Sequence, residues 1–241
     1  MKMIGKILAA ATLMTVAGAA QASPFTTVNI DQYVNSPFPG RPTTMPVGTT
    51  TGNQGTDIPF EVSSRINNAS SIWLAPAQAG SKLVVDLSPL GMTAQASFYA
   101  LLNNTYGTPG ADEYDITIAS ANHSVTYQSI GGRDTRDYNF NPATTGTLGA
   151  NTTAWFDNGQ GQRYDVRTFS LPDYFGNEAL TSFKITQVQA KDQAILGGIT
   201  FSDLPAGAVP EPASWAMMIV GIGAVGATLR RRQQRTTVSF A

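Results

Sequence analysis

Hydrophobic and polar side chains alternate in short runs through most of the chain. Ile58, Phe60 and Val62 share one face, with Glu61 opposite. Ile72 and Leu74 flank Trp73, and Leu83, Val85 and Leu87 flank Asp86. Tyr114, Ile116 and Ile118 alternate with Asp115 and Thr117, and Val125 and Tyr127 flank Thr126. Tyr164 and Val166 alternate with Arg163, Asp165 and Arg167. Phe183 and Ile185 precede Val188, and Ile199 and Phe201 come late. A period of two puts successive side chains on opposite faces of a strand, so polar partners predict half-buried antiparallel strands. Ala96 to Leu102 is more continuously apolar and reads as a central strand. Turn residues punctuate these runs at Asn67-Asn68, Pro76, Pro109-Gly110, Gly131-Gly132, Asn158-Gly159 and Gly197-Gly198. About nine short strands at this spacing predict an all-β fold, an antiparallel β-sandwich or jelly roll over residues 57–208. The preceding stretch, 23–56, is rich in Pro, Thr and Gly and reads as an extended, loop-rich segment with one strand at Thr26 to Ile30. No long helix and no repeat of 20–50 residues is evident.

The two ends break this pattern. The chain begins Met-Lys-Met-Ile-Gly-Lys, continues with an apolar run from Ile7 to Ala20, and reaches Ala20-Gln21-Ala22. A basic start, a short apolar stretch and an A-x-A site make residues 1–22 a signal peptide, cut by signal peptidase between Ala22 and Ser23. At the other end, residues 209–241 start with Val209-Pro210-Glu211-Pro212 and Trp215. From Ala213 to Leu229 there are 17 residues without a charge, followed by Arg230-Arg231-Arg232. That length is at the lower limit of the ~20 residues that span a bilayer. The arginines keep the tail cytoplasmic and the domain outside. Gly221-Ile222-Gly223-Ala224-Val225-Gly226 fits a dinucleotide fingerprint, but no βαβ unit surrounds it. Small residues there suit close helix packing in a membrane.

Val-Pro-Glu-Pro-Ala-Ser-Trp-Ala, the glycine-rich apolar segment and the arginine cluster together resemble the PEP-CTERM sorting signal in its PEP-x-x-W-A form. This signal is found on exported proteins of Gram-negative bacteria. The resemblance implies that Pro210, Glu211 and Pro212 are the recognition element for a membrane-bound, cysteine transpeptidase-like exosortase. It also implies a membrane-anchored precursor that is then released or moved to the cell surface, often in bacteria that secrete exopolysaccharide. The nine residues after the arginine triplet, Gln233 to Ala241, extend beyond where such signals often stop. Within the interior, Leu101 to Gly107 and Gly132 to Asn139 resemble paired segments of secreted proteins with galactose-binding-like β-sandwiches. That resemblance implies a jelly roll used for carbohydrate or cell-surface recognition.

Composition narrows the chemistry. The 241 residues include no Cys and one His, which argues against Cys/His zinc sites, iron–sulfur clusters and cysteine nucleophiles. The formal charge of −1 hides an asymmetry. Without both ends, residues 23–208 hold 9 basic and 15 acidic side chains, or −6. An acidic domain does not suit nucleic acid.

The densest polar cluster is Arg133-Asp134-Thr135-Arg136-Asp137-Tyr138-Asn139. Guanidinium and carboxylate groups suit sugar hydroxyls or an acidic polysaccharide, and Tyr138, Tyr106 or Trp73 offers an apolar ring face. The competing expectation is that Arg133/Asp134 and Arg136/Asp137 are ion pairs pinning a loop. Asp112, Glu113 and Asp115 form an oxygen-rich group of the kind that holds Ca²⁺, though without an EF-hand pattern. They equally read as a solvated acidic turn. His123 would have to serve any Ser-His-Asp triad, yet no G-x-S-x-G elbow accompanies it. The sequence therefore reads as an exported, non-catalytic cell-surface or matrix protein that binds exopolysaccharide or is structural, with no cofactor. A secreted glycan or ester hydrolase is the alternative.

Overall fold

A computed structural model describes residues 25–93, 97–139 and 148–202. Thirteen strands are present among these residues: β1 (Phe25–Val28), β2 (Ser36–Pro37), β3 (Gly48–Thr50), β4 (Phe60–Val62), β5 (Ser71–Leu74), β6 (Lys82–Asp86) and β7 (Ser97–Thr105), then β8 (Asp112–Ser120), β9 (Ser124–Ile130), β10 (Thr152–Asp157), β11 (Arg163–Phe169), β12 (Leu180–Gln187) and β13 (Gln193–Ser202). They form an antiparallel sandwich. The larger sheet runs β10-β11-β7-β13-β5-β2, and β1 also pairs with β13. The smaller sheet runs β6-β12-β8-β9, and β3 and β4 form a third, two-stranded sheet.

The main core fills the space between the two sheets. β8 supplies Tyr114, Ile116 and Ile118, β12 supplies Phe183 and Ile185, and β7 supplies Phe98, Ala100 and Leu102. Phe98 lies at its centre, with ring centroids 4.8 Å from Phe201, 5.1 Å from Phe183 and 5.4 Å from Phe169. A second core lies on the other face of the larger sheet. There Phe38, Met45, Phe60 and Val62 cover Leu101, Trp155, Tyr164 and Ile195. The larger sheet is thus buried on both faces, which explains the near-continuous apolar run of β7. Trp73 is buried in the main core, while its neighbour Ile72 is in the second.

Three expectations change. The stretch 23–56 supplies β1, β2 and β3, all paired with later strands, and its Phe38 and Met45 are core residues. The polar side of β11 does not face solvent: Arg163, Asp165 and Arg167 are all buried. Arg167 donates to Ser129 Oγ at 2.7 Å and to the Gln128 carbonyl at 3.0 Å. Gly197-Gly198 is not a turn but lies inside β13, at a register shift against β7. The irregularity reverses the facing of the strand, so Leu196 and Ile199, three residues apart, enter the same core. A Cβ on Gly197 would lie 2.4 Å from Tyr164 Cε1. That ring cannot retreat easily, because its hydroxyl is 2.9 Å from Ser70 Oγ. Gly197→Ala is therefore expected to cost about 1–3 kcal/mol, measured by chemical denaturation.

Other turn signals hold. Asn67 and Asn68 both take positive φ, and Asn158-Gly159 closes the β10–β11 hairpin. Signal peptide, cleavage residues, membrane segment and sorting residues lie outside the described residues. No helix among the described residues is long and apolar enough to cross a membrane.

Candidate functional site

β13 defines two poles. Its C-terminal end pairs with the first strand, Ser202 opposite Phe25. The described fold therefore begins and ends at one pole. At the other end of β13, Gln193 pairs with Thr105. Strand geometry separates the poles by ~30 Å.

Three segments converge at the far pole: the residues after β7, those after β9, and the turn between β12 and β13. The Asn104 N–H donates to the Arg136 carbonyl at 3.0 Å, and the Tyr138 N–H to the Asn104 carbonyl at 2.9 Å. Residues 136–138 thus lie beside the end of β7 as a parallel bridge. The Val188 N–H donates to the Glu113 carbonyl at 3.0 Å, tying the third segment to β8.

The Arg/Asp cluster is mostly consumed in this construction. Arg133 pairs with Asp134 at 2.7 Å, as one expectation had it. Burial alone would raise the Asp134 carboxyl. Arg133 and the Ile130 N–H outweigh it and hold that carboxyl below its ordinary value. Arg136 does not pair with Asp137. It bonds Asp165 through both Nε, at 2.9 Å, and Nη2. Asp165 is fully buried and also accepts from Asn103 Nδ2 at 3.2 Å. Burial pushes its carboxyl up, and Arg136 works against that shift. Nothing local in the sequence links Arg136 to a partner 29 positions away. Asn103 was likewise not singled out as part of this network.

Asp137 has a different task. One oxygen accepts the Tyr106 N–H at 2.9 Å and the other accepts the Asn139 N–H at 2.8 Å. Tyr106 sits at φ 58° and is 76% exposed. A bulky side chain in the left-handed region is strained, by about 1 kcal/mol or more. Here a carboxylate bond holds that strained residue with its ring in water. Tyr138 is half-buried and packs edge-on against Phe38, 5.6 Å between centroids. Asn139 is exposed and bridges to Gln162. Tyr106, Asp137, Tyr138 and Asn139 therefore gather at one pole. Trp73 does not join them, being a core residue.

The three acidic residues of β8 diverge. Asp112 accepts from Gln128 Nε2 at 3.0 Å. Asp115 lies opposite Gln128 and Thr186 on the smaller sheet. Glu113 sits at a register shift between Asp112 and Tyr114 and is fully buried, accepting the Thr108 N–H at 2.6 Å. A bulge of this kind re-aims a side chain. No group of three His, Cys, Asp or Glu among the described residues is placed to hold a metal ion.

Glu113 meets the buried Asp192, a residue not singled out in the sequence. The neighbouring Asp192 carboxyl adds to burial in disfavouring the charged form of Glu113. Burial and Asp192 push Glu113 up to about 9. Folding then retains a proton that the unfolded chain releases above its ordinary value near 4.5. This contribution is present below that value and is lost as pH rises towards 9. Stability is expected to fall across this window, by up to about 1.4 kcal/mol per pH unit. Glu113→Gln keeps the donor and acceptor pattern of the neutral acid. Thermal melts from pH 5 to 9 are expected to show a flatter profile for this variant than for the native chain.

His123 lies at the opposite end of β8. Its Nδ1 is 3.1 Å from Glu178 Oε1, and its ring centroid is 5.3 Å from that of Tyr174. Ser120 Oγ donates to the Glu178 carboxylate rather than to the imidazole. Bonds from Ser120 and Asn122 hold Glu178 down at about 2. The carboxylate is the hub of this cluster, whereas a serine triad places the imidazole there.

Residues 208–232 match the family model of the PEP-CTERM protein-sorting motif. No curated protein matches the chain. The motif marks an exported protein sorted by an exosortase system, through a membrane-anchored precursor and on to the surface.

Proposed function

We propose that the sandwich is a non-catalytic recognition module that binds polysaccharide at the cell surface. The observation that carries this reading is Tyr106. A large aromatic ring exposed on a strained backbone, with polar groups beside it, suits stacking against a sugar ring. Asp137 retains lone pairs beyond the two bonds it accepts, and Asn139 adds an exposed amide for hydroxyl groups. The pole's position agrees with this role. The sorting motif follows the end of the described fold, so an anchored precursor holds the domain by the Ser202 pole. Tyr106 then points away from the anchor.

Tyr106→Gly tests the reading. Glycine keeps the left-handed backbone and removes the ring. The variant is expected to melt no lower than the native domain, yet to lose retention on the producer's own exopolysaccharide in affinity electrophoresis. Unchanged retention, or none by the native domain, refutes the role of this pole.

A further inference from the structure

We infer that the far pole takes an uncharged polysaccharide, its ring face on Tyr106 and its hydroxyls on Asp137 and Asn139. This rests on the polysaccharide reading above and names the class of polymer. The Arg/Asp-rich segment looked equally suited to an acidic polymer, but the fold engages both of its cations in ion pairs. Arg136 is bound by the buried Asp165. Arg163 and Arg167 are 5% and 6% exposed, and Arg167 is committed to Ser129 and Gln128. Arg133 is paired with Asp134, although its side chain stays 61% exposed.

The groups directly around Tyr106 are neutral or acidic. Tyr106 is exposed, Asn139 is exposed, and Asp137 lies between them in the chain fold, bonded to both backbones. Burial raises the Asp137 carboxyl, with the two backbone N–H groups and the buried Arg163 working against that shift and Asp192 adding slightly to it. A uronate or sulfate group brought here would meet a further negative charge in a partly desolvated setting. Lys191, in the β12–β13 turn, and Arg41, beside the β10–β11 hairpin, are exposed cations at this pole. Lys191 lacks the fork geometry that recognises carboxylates in pairs, and the Arg41 guanidinium is engaged by Gln160 Oε1 at 2.7 Å. Sugar hydroxyls, by contrast, both donate to the Asp137 oxygens and accept from the Asn139 amide, and a pyranose face covers an aromatic ring.

The test uses the secreted domain with its native ends and two probe sets. One set contains neutral glucan, mannan and galactan. The other contains polygalacturonate and alginate. Affinity electrophoresis is run from about 50 to about 500 mM NaCl, a range that screens exposed charge pairs. The expected result is retention by at least one neutral polymer that does not change with salt. Tyr106→Gly is expected to weaken it tenfold or more, and Lys191→Ala to leave it unchanged. Preference for the uronate polymers, salt-sensitive retention or dependence on Lys191 overturns the neutral-polymer inference and leaves polysaccharide binding standing. Failure to retain either set, with the producer's own polymer also unbound, overturns both.

Discussion

Asp165→Ala is expected to destabilise the domain by about 3–5 kcal/mol, because it leaves the largely buried Arg136 guanidinium, 14% exposed, without a counter-charge. Arg136→Met removes the other partner and has a different signature. The stranded Asp165 carboxyl, buried and already pushed upward, escapes its penalty by taking a proton. A carboxyl with a raised folded value stabilises below its unfolded value and loses that contribution as pH rises. Arg136→Met is therefore expected to be severely destabilised at pH 8 and to recover part of the loss near pH 5. Urea denaturation of both variants at the two values separates these outcomes. The double change Arg136→Met with Asp165→Leu is expected to recover most of the stability, since a well-packed apolar pair avoids desolvating charge. If Asp165→Ala is as stable as the native chain, the pair does not hold residues 131–139 to β11.

The second large effect concerns destination rather than stability. Replacing Pro210-Glu211-Pro212 with three alanines leaves the sandwich sequence untouched but removes the core of the sorting motif. The protein is expected to accumulate in the membrane fraction as a full-length precursor still carrying Arg230 to Ala241. The native protein is expected at the surface or in the medium, starting at Ser23 and ending near Pro212. Mass spectrometry of both fractions reads the two ends directly. A native mature protein that keeps its arginine tail would argue against C-terminal processing.

Much of the fold was legible because β alternation is a local property. Runs such as Tyr114, Ile116 and Ile118 face the core as their spacing indicates. The same logic failed where strands lie between two covered faces. Arg163, Asp165 and Arg167 alternate with apolar residues as solvent-facing positions do, yet all three are buried. It also failed at Gly197, where an irregular pairing inside β13 resembles a turn in sequence. In the candidate site, Tyr106, Asp137, Tyr138 and Asn139 were visible as residue types, but Asp192 was not, nor was the bond of Asn103 to Asp165. Their roles depend on partners far along the chain.

By itself the sequence determined the class and the route. Period-two patterning specifies strands, and the Pro-Glu-Pro signal is read from a contiguous stretch without a fold around it. Only the tertiary structure decided which charges are spent and which are offered. Arg136 finds Asp165 because β11 and the segment after β9 meet, and that pairing removes a cation from the pole. Asp137, freed from the expected ion pair, holds Tyr106 in its strained, exposed position. The reason is physical: a strand's facing is set by its own spacing, whereas an ion pair is set by whichever opposite charge the folded chain brings within reach.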